Sequence, residues 1–378
     1  MHVCLLCIEL FGDSIYGGFG RSTLFVGREL AKRGVRVSIV TPRRAPDRPD
    51  RYDLDGIAVH QFPPQRPWTA IRTLRACAAD VYHSQDASSV TVFAQIASPR
   101  AAHIVTFRDP MDRADWQVET ASASLPRVGW ALYRAFIFNP LVTLAVRRAD
   151  ACYAAARFLI PKAAGIFGLK EPPLFLPTPV EIPDSVRKAD RPTVCWVGRW
   201  EGRKRVEEFF ELARACPDID FVAMGGARDG ARDQALRRTF GGIPNLRMTG
   251  VLDQFKDPQW GEVLGRSWVL VNTSQREGLP TTFIEAAAHR CAILSFTDPD
   301  GFASRFGRCV AEGELVRGLR ALLEGNEWRA RAEAGFRFVS ATFATERAMD
   351  EHMNAYARAL ARRGRHGTGA GFGPDPIG

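Results

Sequence analysis

The sequence predicts an α/β protein built from two domains. Its 378 residues exceed the usual size of a single domain, so two domains are expected. Strand-like runs alternate with helical stretches in both halves of the chain, which is typical of parallel sheets with helices on both faces. Between the halves, residues 171–192 contain six prolines and no regular periodicity, and we interpret them as an interdomain linker.

The first half, residues 1–175, carries the pattern of one such domain. Apolar runs predict strands at 2–9, 35–41, 57–62, 80–83 and 103–107, and helical patterns fall at 21–33, 69–79 and 87–97. The first turn from strand to helix contains Gly17, Gly18 and Gly20, which permit close approach of the backbone to a ligand. A plain strand-to-helix turn is the alternative. Thr23 stands where a dinucleotide fingerprint needs its third glycine, so a nicotinamide or flavin enzyme is not expected.

The second half, residues 193–345, repeats the alternation of strand and helix patterns. We expect strands at 193–197, 221–224, 245–249 and 268–271, and helices at 206–215 and from about residue 281. A basic helix at 346–363 is expected to pack back toward the first domain, followed by a disordered glycine-rich tail at 364–378. Because ligands of parallel sheets bind at the carboxyl ends of the strands, the sequence predicts two Rossmann-like domains with parallel sheets facing across a cleft.

Two segments of the second half carry candidate binding residues at such strand ends. After the strand at 193–197, Gly198 and Arg199 lead to Lys204, and the two cations form a reasonable clamp for a diphosphate. Solvated surface cations are the alternative. Another turn of this kind holds Gly225, after the strand at 221–224.

The run EGLPTTFIEA, residues 277–286, joins a strand end to a helix start. Glu277 and Glu285 are separated by seven residues, one in the loop and one in the first helical turns. A helix amino-terminus attracts phosphate, and carboxylates beside it suit a ligand that also carries hydroxyls, such as a nucleotide sugar. Thr282 and Glu285 also fit a capping box, so Glu285 acting only as a helix cap stays an alternative.

The composition and net charge of the chain indicate its compartment and the kind of ligand or partner it binds. Hydrophobic residues make up 46% of the chain and no secretory signal is recognisable, so we expect a cytoplasmic protein. Its eight cysteines lie mostly within apolar strand or helix patterns, which favours buried thiols over a metal site. The formal net charge of +9 indicates an anionic partner. Nucleic acid is not expected, because the sequence shows no zinc-finger spacing, aromatic RNA-binding motif or basic recognition helix. The histidines show no metal-ligand spacing, and no metal is expected.

Together these motifs resemble the family 4 (group 1) retaining glycosyltransferases of GT-B fold. The resemblance covers about residues 2–345 and includes GGFGR at 17–21, DVYH at 80–83, VGRW at 197–200 with Lys204, and Gly225-Gly226. The pattern E-G-x-P-x-x-x-x-E-A at 277–286 is the most specific of these motifs.

The resemblance implies roles for individual residues. Arg199 and Lys204 would hold the donor diphosphate, and Glu277 would lie against the donor sugar. Glu285 would accept hydrogen bonds from the ribose hydroxyls. The glycines of the first domain would let it approach phosphate and acceptor. The remaining donor contacts would come from the backbone at Gly198, Gly225, Gly278, Leu279, Pro280 and Thr281.

Two positions depart from the family pattern. The family commonly has a histidine near the reacting sugar where this chain has Arg108, which cannot relay a proton as a neutral acceptor. We expect Arg108 to supply charge to the diphosphate or an anionic acceptor, and Asp109 to contact the acceptor hydroxyl. Transfer stays plausible, because the leaving phosphate of such enzymes is thought to take the proton. Arg290 replaces a frequent glycine, and only a local change is expected there.

Residues 128–146 form the most apolar stretch of the chain. Arg134, Asn139 and Pro140 interrupt it, which disfavours a membrane span. Flanking arginines and aromatic residues favour a helix that lies on an anionic lipid surface, as would suit a lipid-linked acceptor. A core helix of the first domain is the alternative.

The sequence therefore predicts a metal-independent, retaining hexosyltransferase without a cofactor, with a UDP- or GDP-sugar as donor. The acceptor would be a hydroxyl, lipid-linked in one version of the hypothesis, and the pathway would be glycan, polysaccharide or glycolipid biosynthesis. The enzyme would be cytoplasmic or peripheral on the inner face of the membrane. Two alternatives stay open: a nucleotide-sugar epimerase or hydrolase of GT-B fold, and a non-catalytic sugar-binding protein of that fold.

Overall fold

The computed structural model describes residues 1–11, 17–44, 48–121 and 127–368. Among these residues, the first sheet has eight strands, β1 to β8: His2–Leu6, Arg36–Pro42, Arg51–Leu54, Ile57–Phe62, Val81–Ser84, Ala102–Phe107, Ala151–Ala154 and Leu174–Phe175. The helices around it are α1 to α7: Gly18–Lys32, Ala70–Cys77, Ser89–Ala97, Arg113–Ala121, Arg127–Ile137, Pro140–Arg147 and Leu159–Phe167.

The second sheet has six strands within the described ranges, β9 to β14: Thr193–Val197, Asp220–Met224, Leu246–Gly250, Val269–Asn272, Ala292–Ser295 and Gly307–Cys309. Its helices are α8 to α14, and α15 follows them: Val206–Ala215, Gly230–Phe240, Pro258–Arg266, Thr281–Ala288, Phe302–Phe306, Leu315–Leu323, Glu327–Thr342 and Thr345–Thr368.

Both sheets place their first strand in the interior. Strand order is β3-β4-β2-β1-β5-β6-β7-β8 in the first sheet and β11-β10-β9-β12-β13-β14 in the second. Among the strands that the structure describes, all pairings are parallel except the hairpin of β3 with β4, and β3 is not among the predicted strands. Helices cover these sheets, so the central strands are buried on both faces and read as continuous apolar runs. The predicted two-domain α/β architecture with parallel sheets is confirmed.

The chain crosses between the domains at two adjacent points. In the linker, the Val180 N–H donates to the Phe343 carbonyl (2.8 Å), and the Thr345 hydroxyl donates to the Val180 carbonyl (2.9 Å). Beyond this crossing, α15 packs on the first domain and buries Met349 and Tyr356 in the core around β1. The first domain is thus completed by the carboxyl-terminal helix.

Two sequence expectations differ from the structure. The helix predicted at 346–363 spans Thr345–Thr368, five residues beyond the predicted end, and residues 369–378 lie outside the described residues. The apolar stretch at 128–146 forms two helices, α5 and α6. The break occurs at Asn139, whose side-chain oxygen accepts from the Leu141 and Val142 N–H groups, with Pro140 in the first position of α6.

Arg290 follows α11 with φ of +57°, in the left-handed region. This is the conformation that glycine commonly supplies at a helix carboxyl end, which explains the preference for glycine there. The arginine is held by an ion pair with Glu333 and by its guanidinium over the Phe336 ring. The change is confined to this helix end.

Candidate active site

A cavity of about 370 Å³ lies between the two domains. The first domain contributes the turn before α1 and the segments that follow β5 and β6, and the second contributes the segments that follow β9 and β12. The predicted residues that line it are Gly17, Gly18, Arg108, Asp109, Gly198, Arg199, Lys204, Glu277, Gly278, Leu279, Pro280 and Thr281. Three predicted residues do not line it, namely Gly20, Gly225 and Glu285.

Lys204 and Glu277 form an ion pair at the centre of the second-domain wall. The Asn272 side-chain amide also donates to Glu277 Oε1 (3.3 Å). Burial would raise the pKa of Glu277, but the positive charges of Lys204 and Arg203 lower it to about 2. Glu277 is therefore an anion at neutral pH, and Lys204 is its strongest partner within the protein.

The cations around this pair outnumber the carboxylates that the second domain places beside them. Arg199, Arg203 and Arg228 line the same wall, and Glu201 lies 3.9 Å from Arg199 and 3.4 Å from Arg228. The pKa of Lys204 is lowered, chiefly by burial. The charge of Glu277 opposes this shift, whereas the nearby charges of Arg203 and Arg199 add to it. Such an excess of cations favours an anionic ligand. Sequence analysis identified only Arg199 and Lys204 of this group, although Arg203 is adjacent to Lys204.

The amino end of α11 is free to contact a ligand. The residue before it, Pro280, has no side chain that caps the helix. The capping-box alternative for Glu285 is wrong, because α11 begins at Thr281 and Glu285 lies in its second turn. Burial raises the pKa of Glu285, and Arg21 opposes that shift. Glu285 faces a second cavity next to the first one.

Several glycines are required by close approach of backbone segments. A Cβ at Gly225 would lie 1.8 Å from the Gly198 carbonyl oxygen, and a Cβ at Gly278 would lie 2.6 Å from the Arg108 carbonyl oxygen. At Gly20 it would lie 2.7 Å from the Phe11 nitrogen. Gly225 and Gly20 therefore permit close backbone packing within their own domains, whereas Gly278 permits close approach of the two domains across the cleft.

Arg108 lines the cavity, but its guanidinium points into the interdomain hinge. It is 5% exposed and donates to Thr178 Oγ1 (3.0 Å) in the linker and to Gln85 Oε1 (2.7 Å). Burial lowers its pKa to about 10, so it stays a cation at neutral pH. Two of its nitrogens are engaged within the protein, while Nε has no hydrogen-bond partner among the described residues. The expectation that this charge serves the diphosphate or an anionic acceptor stays a prediction.

Asp109 takes part in a clasp between the domains, which we define as Arg276 with Asp109, Asp115 and Glu119. Arg276 Nε lies 2.9 Å from Asp115 Oδ1 and Arg276 Nη1 lies 2.8 Å from Glu119 Oε1, and the second terminal nitrogen donates to Asp109. No local sequence pattern indicates this clasp, because Arg276 and Asp109 are 167 residues apart.

The first-domain wall combines aromatic rings with a second carboxylate. Trp116 and Tyr133 line the cavity with their rings edge to face, 6.2 Å apart. Asp86 follows β5, and burial together with the charge of Asp109 raises its pKa to about 7. Sequence analysis missed Asp86, since a single carboxylate after a short strand carries no motif. Aromatic faces beside carboxylates are chemically suited to a sugar.

Comparison with known proteins agrees with this architecture. Residues 17–169 match the family model for the Glycosyl transferase 4-like domain, and residues 191–324 match the model for Glycosyl transferases group 1. No curated protein matches the sequence significantly. The two-domain fold and the two matches, which together span most of the chain, define a glycosyltransferase. The chain belongs to the group 1 glycosyltransferases.

Solved structures show that the fold is GT-B. Sucrose-phosphate synthase from Thermosynechococcus elongatus superposes with a TM-score of 0.71 at 16% identity, covering 95% of this chain and 99% of that one. HepE from Anabaena, in complex with UDP-glucose, gives 0.66 at 13%, covering 94% and 99%. WaaG, a glycosyltransferase involved in lipopolysaccharide biosynthesis, gives 0.64 at 17%, covering 94% and 98%.

Proposed function

We propose that this glycosyltransferase moves a hexose from a nucleotide-diphosphate sugar to a hydroxyl acceptor, with retention of configuration and without a metal ion. The observation that carries the proposal is the Lys204–Glu277 pair, set among excess cations beside the uncapped amino end of α11. A donor of this class has a diphosphate for the cations and sugar hydroxyls for the carboxylate. UDP-glucose is bound in the related HepE structure, which supports the same donor class here.

The position of each group suggests how the donor lies. Arg199 and Lys204 would contact the diphosphate, and Glu277 with the N–H groups of the segment after it would contact the sugar. When the bond from the anomeric carbon to the diphosphate breaks, the leaving group gains negative charge. Fixed cations stabilise that charge, which lowers the barrier and supplies what a metal ion supplies elsewhere. Glu277, held by Lys204, is poorly placed to act as a nucleophile, and this supports direct transfer with retention.

The acceptor would bind against the first-domain wall. Trp116 and Tyr133 offer aromatic faces, while Asp86 and Asp109 offer carboxylates for the hydroxyls of a sugar-containing acceptor. The hydroxyl proton would pass to an oxygen of the leaving diphosphate, so that no separate base is required. Arg108 has no direct part in this scheme.

A lipid-linked acceptor and a peripheral position on the inner face of the membrane are the finer part of the proposal. One described stretch, Gly129–Arg147, has the length and apolar composition that could cross a membrane. The structure divides it into α5 and α6, on which Leu132, Leu141 and Leu144 are 68%, 63% and 43% exposed. Exposed Arg134 and Arg148 accompany them, as suits an anionic lipid surface. The role of WaaG in lipopolysaccharide biosynthesis supports a glycolipid or polysaccharide pathway.

Binding and turnover of donor candidates test the proposal. Thermal-shift screening with UDP, GDP, ADP and their common sugars, with EDTA or with magnesium, should give a metal-independent shift for one nucleotide series. With that donor, Lys204→Ala and Glu277→Ala should lower release of the nucleoside diphosphate by at least about a hundredfold. The first substitution removes a cation from the leaving group, and the second removes the contact to the donor sugar and the partner that holds Lys204. Lys170→Ala, which removes an exposed cation after α7, is the matched control. Wild-type turnover in both site variants would exclude these assignments.

A further inference from the structure

Arg21 separates two cavities that a nucleotide sugar would have to span. It lies near the start of α1 in the first domain, and both Arg21 and Thr281 line the interdomain cavity described above as well as the second one, which has a volume of about 310 Å³. The first cavity holds the cations for a diphosphate. The second therefore lies where the nucleoside end of such a ligand would be found.

The walls of the second cavity fit a nucleoside. Phe255 and Trp260 supply aromatic surface, and Gln254, in the segment after β11, adds a polar side chain. Glu285 projects from α11 into the same space, and its Oε2 atom is buried without a hydrogen-bond partner among the described residues. A buried carboxylate oxygen without a donor is costly, and a ribose hydroxyl is a suitable donor.

Arg21 lies in the region between these groups. Its terminal nitrogen lies 3.7 Å from Glu285 Oε2 and 3.5 Å from Thr281 Oγ1, and its guanidinium carbon lies 4.6 Å from the centre of the Trp260 ring. The side chain is only 11% exposed. The 3.7 Å separation is an ion pair but exceeds hydrogen-bond distance, so Glu285 keeps its unmet acceptor while Arg21 is beside it.

The same face of α1 makes further contact with the second domain. Phe25 stacks on Phe255 at 6.4 Å, and the Arg28 guanidinium lies 4.4 Å from the centre of that ring. Arg28 is ion-paired with Asp55 of its own domain and lines neither cavity. Arg21 is thus the cation of this face that can reach a ligand, and Arg28 provides an internal comparison.

We propose that Arg21 is an exchangeable partner of Glu285 and a third cation for the donor diphosphate. Without nucleotide, it holds the Glu285 carboxylate across the domain boundary. When the donor binds, the ribose hydroxyls donate to Glu285, and the released guanidinium turns to the adjacent diphosphate while it stays attached to the first domain. The diphosphate then links Arg21 of one domain to Lys204 of the other, so that donor binding favours closure of the cleft. This inference rests on the proposed function, because it requires a nucleotide-diphosphate donor.

The test compares a nucleoside diphosphate with its nucleoside, using the base that the thermal-shift screen selects, for example UDP and uridine. By isothermal titration calorimetry, Arg21→Gln should weaken binding of the diphosphate about tenfold, because a charged hydrogen bond to phosphate is lost. The same variant should bind the nucleoside with affinity equal to that of the wild type or up to about fivefold higher, because Glu285 no longer has to give up an ion pair. Arg28→Gln should change neither affinity by more than about twofold.

The outcomes separate this inference from the proposed function. If the wild-type protein binds none of UDP, GDP and ADP, the proposed donor site fails and the role of Arg21 fails with it. If it binds one, but Arg21→Gln and Arg28→Gln behave alike, the donor site stands and the exchange is refuted. Equal weakening of nucleoside and diphosphate by Arg21→Gln would also refute it, because it would show a structural role alone.

Discussion

The cations around the cleft fall into two groups, those whose charge is balanced by neighbouring carboxylates and those present in excess of such carboxylates. Arg276 is surrounded by three carboxylates, and its pKa is raised because these charges outweigh the effect of burial. Arg199, Lys204 and Arg228 instead lie where second-domain carboxylates do not balance them. At the residue scale, the balance of charge therefore distinguishes cations that hold the protein together from cations available to a ligand.

Arg108 donates to neutral partners instead, and this leads to a prediction. Arg108→Met should lower the free energy of unfolding by about 2 kcal/mol, because Gln85 and Thr178 each lose a hydrogen bond to a charged donor inside the hinge. The affinity for the nucleoside diphosphate should stay within about twofold of the wild-type value. Chemical denaturation and calorimetry measure the two quantities, with Lys204→Met as the variant expected to lose affinity. A large loss of affinity in Arg108→Met would show that the guanidinium contributes to donor binding.

At the scale of elements, the sequence predicts the strands and helices whose hydrophobic pattern is complete within a few neighbouring residues. The strand at 193–197 and the helix at 206–215 have the predicted bounds, because an apolar run and a helical period are visible within a few residues. Contacts between the domains have no such signal, since Arg21 and Thr281 are 260 residues apart and face each other only in the folded chain. The motif at 277–286 located one wall of the interdomain cavity, whereas the clasp and the direction of the Arg108 side chain are visible only in the folded chain.

The exposed leucines of α5 and α6 lead to a prediction about membrane binding. Substitution of Leu132, Leu141 and Leu144 by serine should lower binding to vesicles of phosphatidylcholine and phosphatidylglycerol at least about tenfold, because each leucine transferred into lipid contributes roughly 1.5–3 kcal/mol. The melting temperature should change little, since the three side chains contact solvent. Val316→Ser, at an exposed apolar position of α13, is the control for co-sedimentation. Unchanged sedimentation of the triple variant would remove α5 and α6 as the membrane contact.

At the scale of the whole molecule, the two domains are joined by a covalent hinge, by the Arg276 clasp and by the contacts of α1 with the second domain. The hinge contains two adjacent chain crossings, stabilised by hydrogen bonds between Val180 and residues 343–345. The clasp joins the segment before Glu277 to Asp109 and α4, so it can hold the cleft closed before any ligand binds. A rotation about the hinge would separate Arg276 from its carboxylates without disturbing either sheet.

Arg276→Met should therefore open the molecule and not unfold it. A buried cation with several carboxylates contributes about 3 kcal/mol or more when only one partner is removed, because the remaining charges are left without compensation. Here Asp109, Asp115 and Glu119 can regain water by domain opening, so the cost should appear as a larger radius of gyration in small-angle X-ray scattering, while the melting temperature changes little. The control is Arg320→Met, which breaks an exposed ion pair with Asp218 inside the second domain and should leave the scattering curve unchanged. Addition of the nucleoside diphosphate should partly restore the compact form, because the ligand bridges the same two domains. Identical scattering by Arg276→Met and the wild-type protein would show that the hinge and the remaining contacts hold the cleft closed without the clasp.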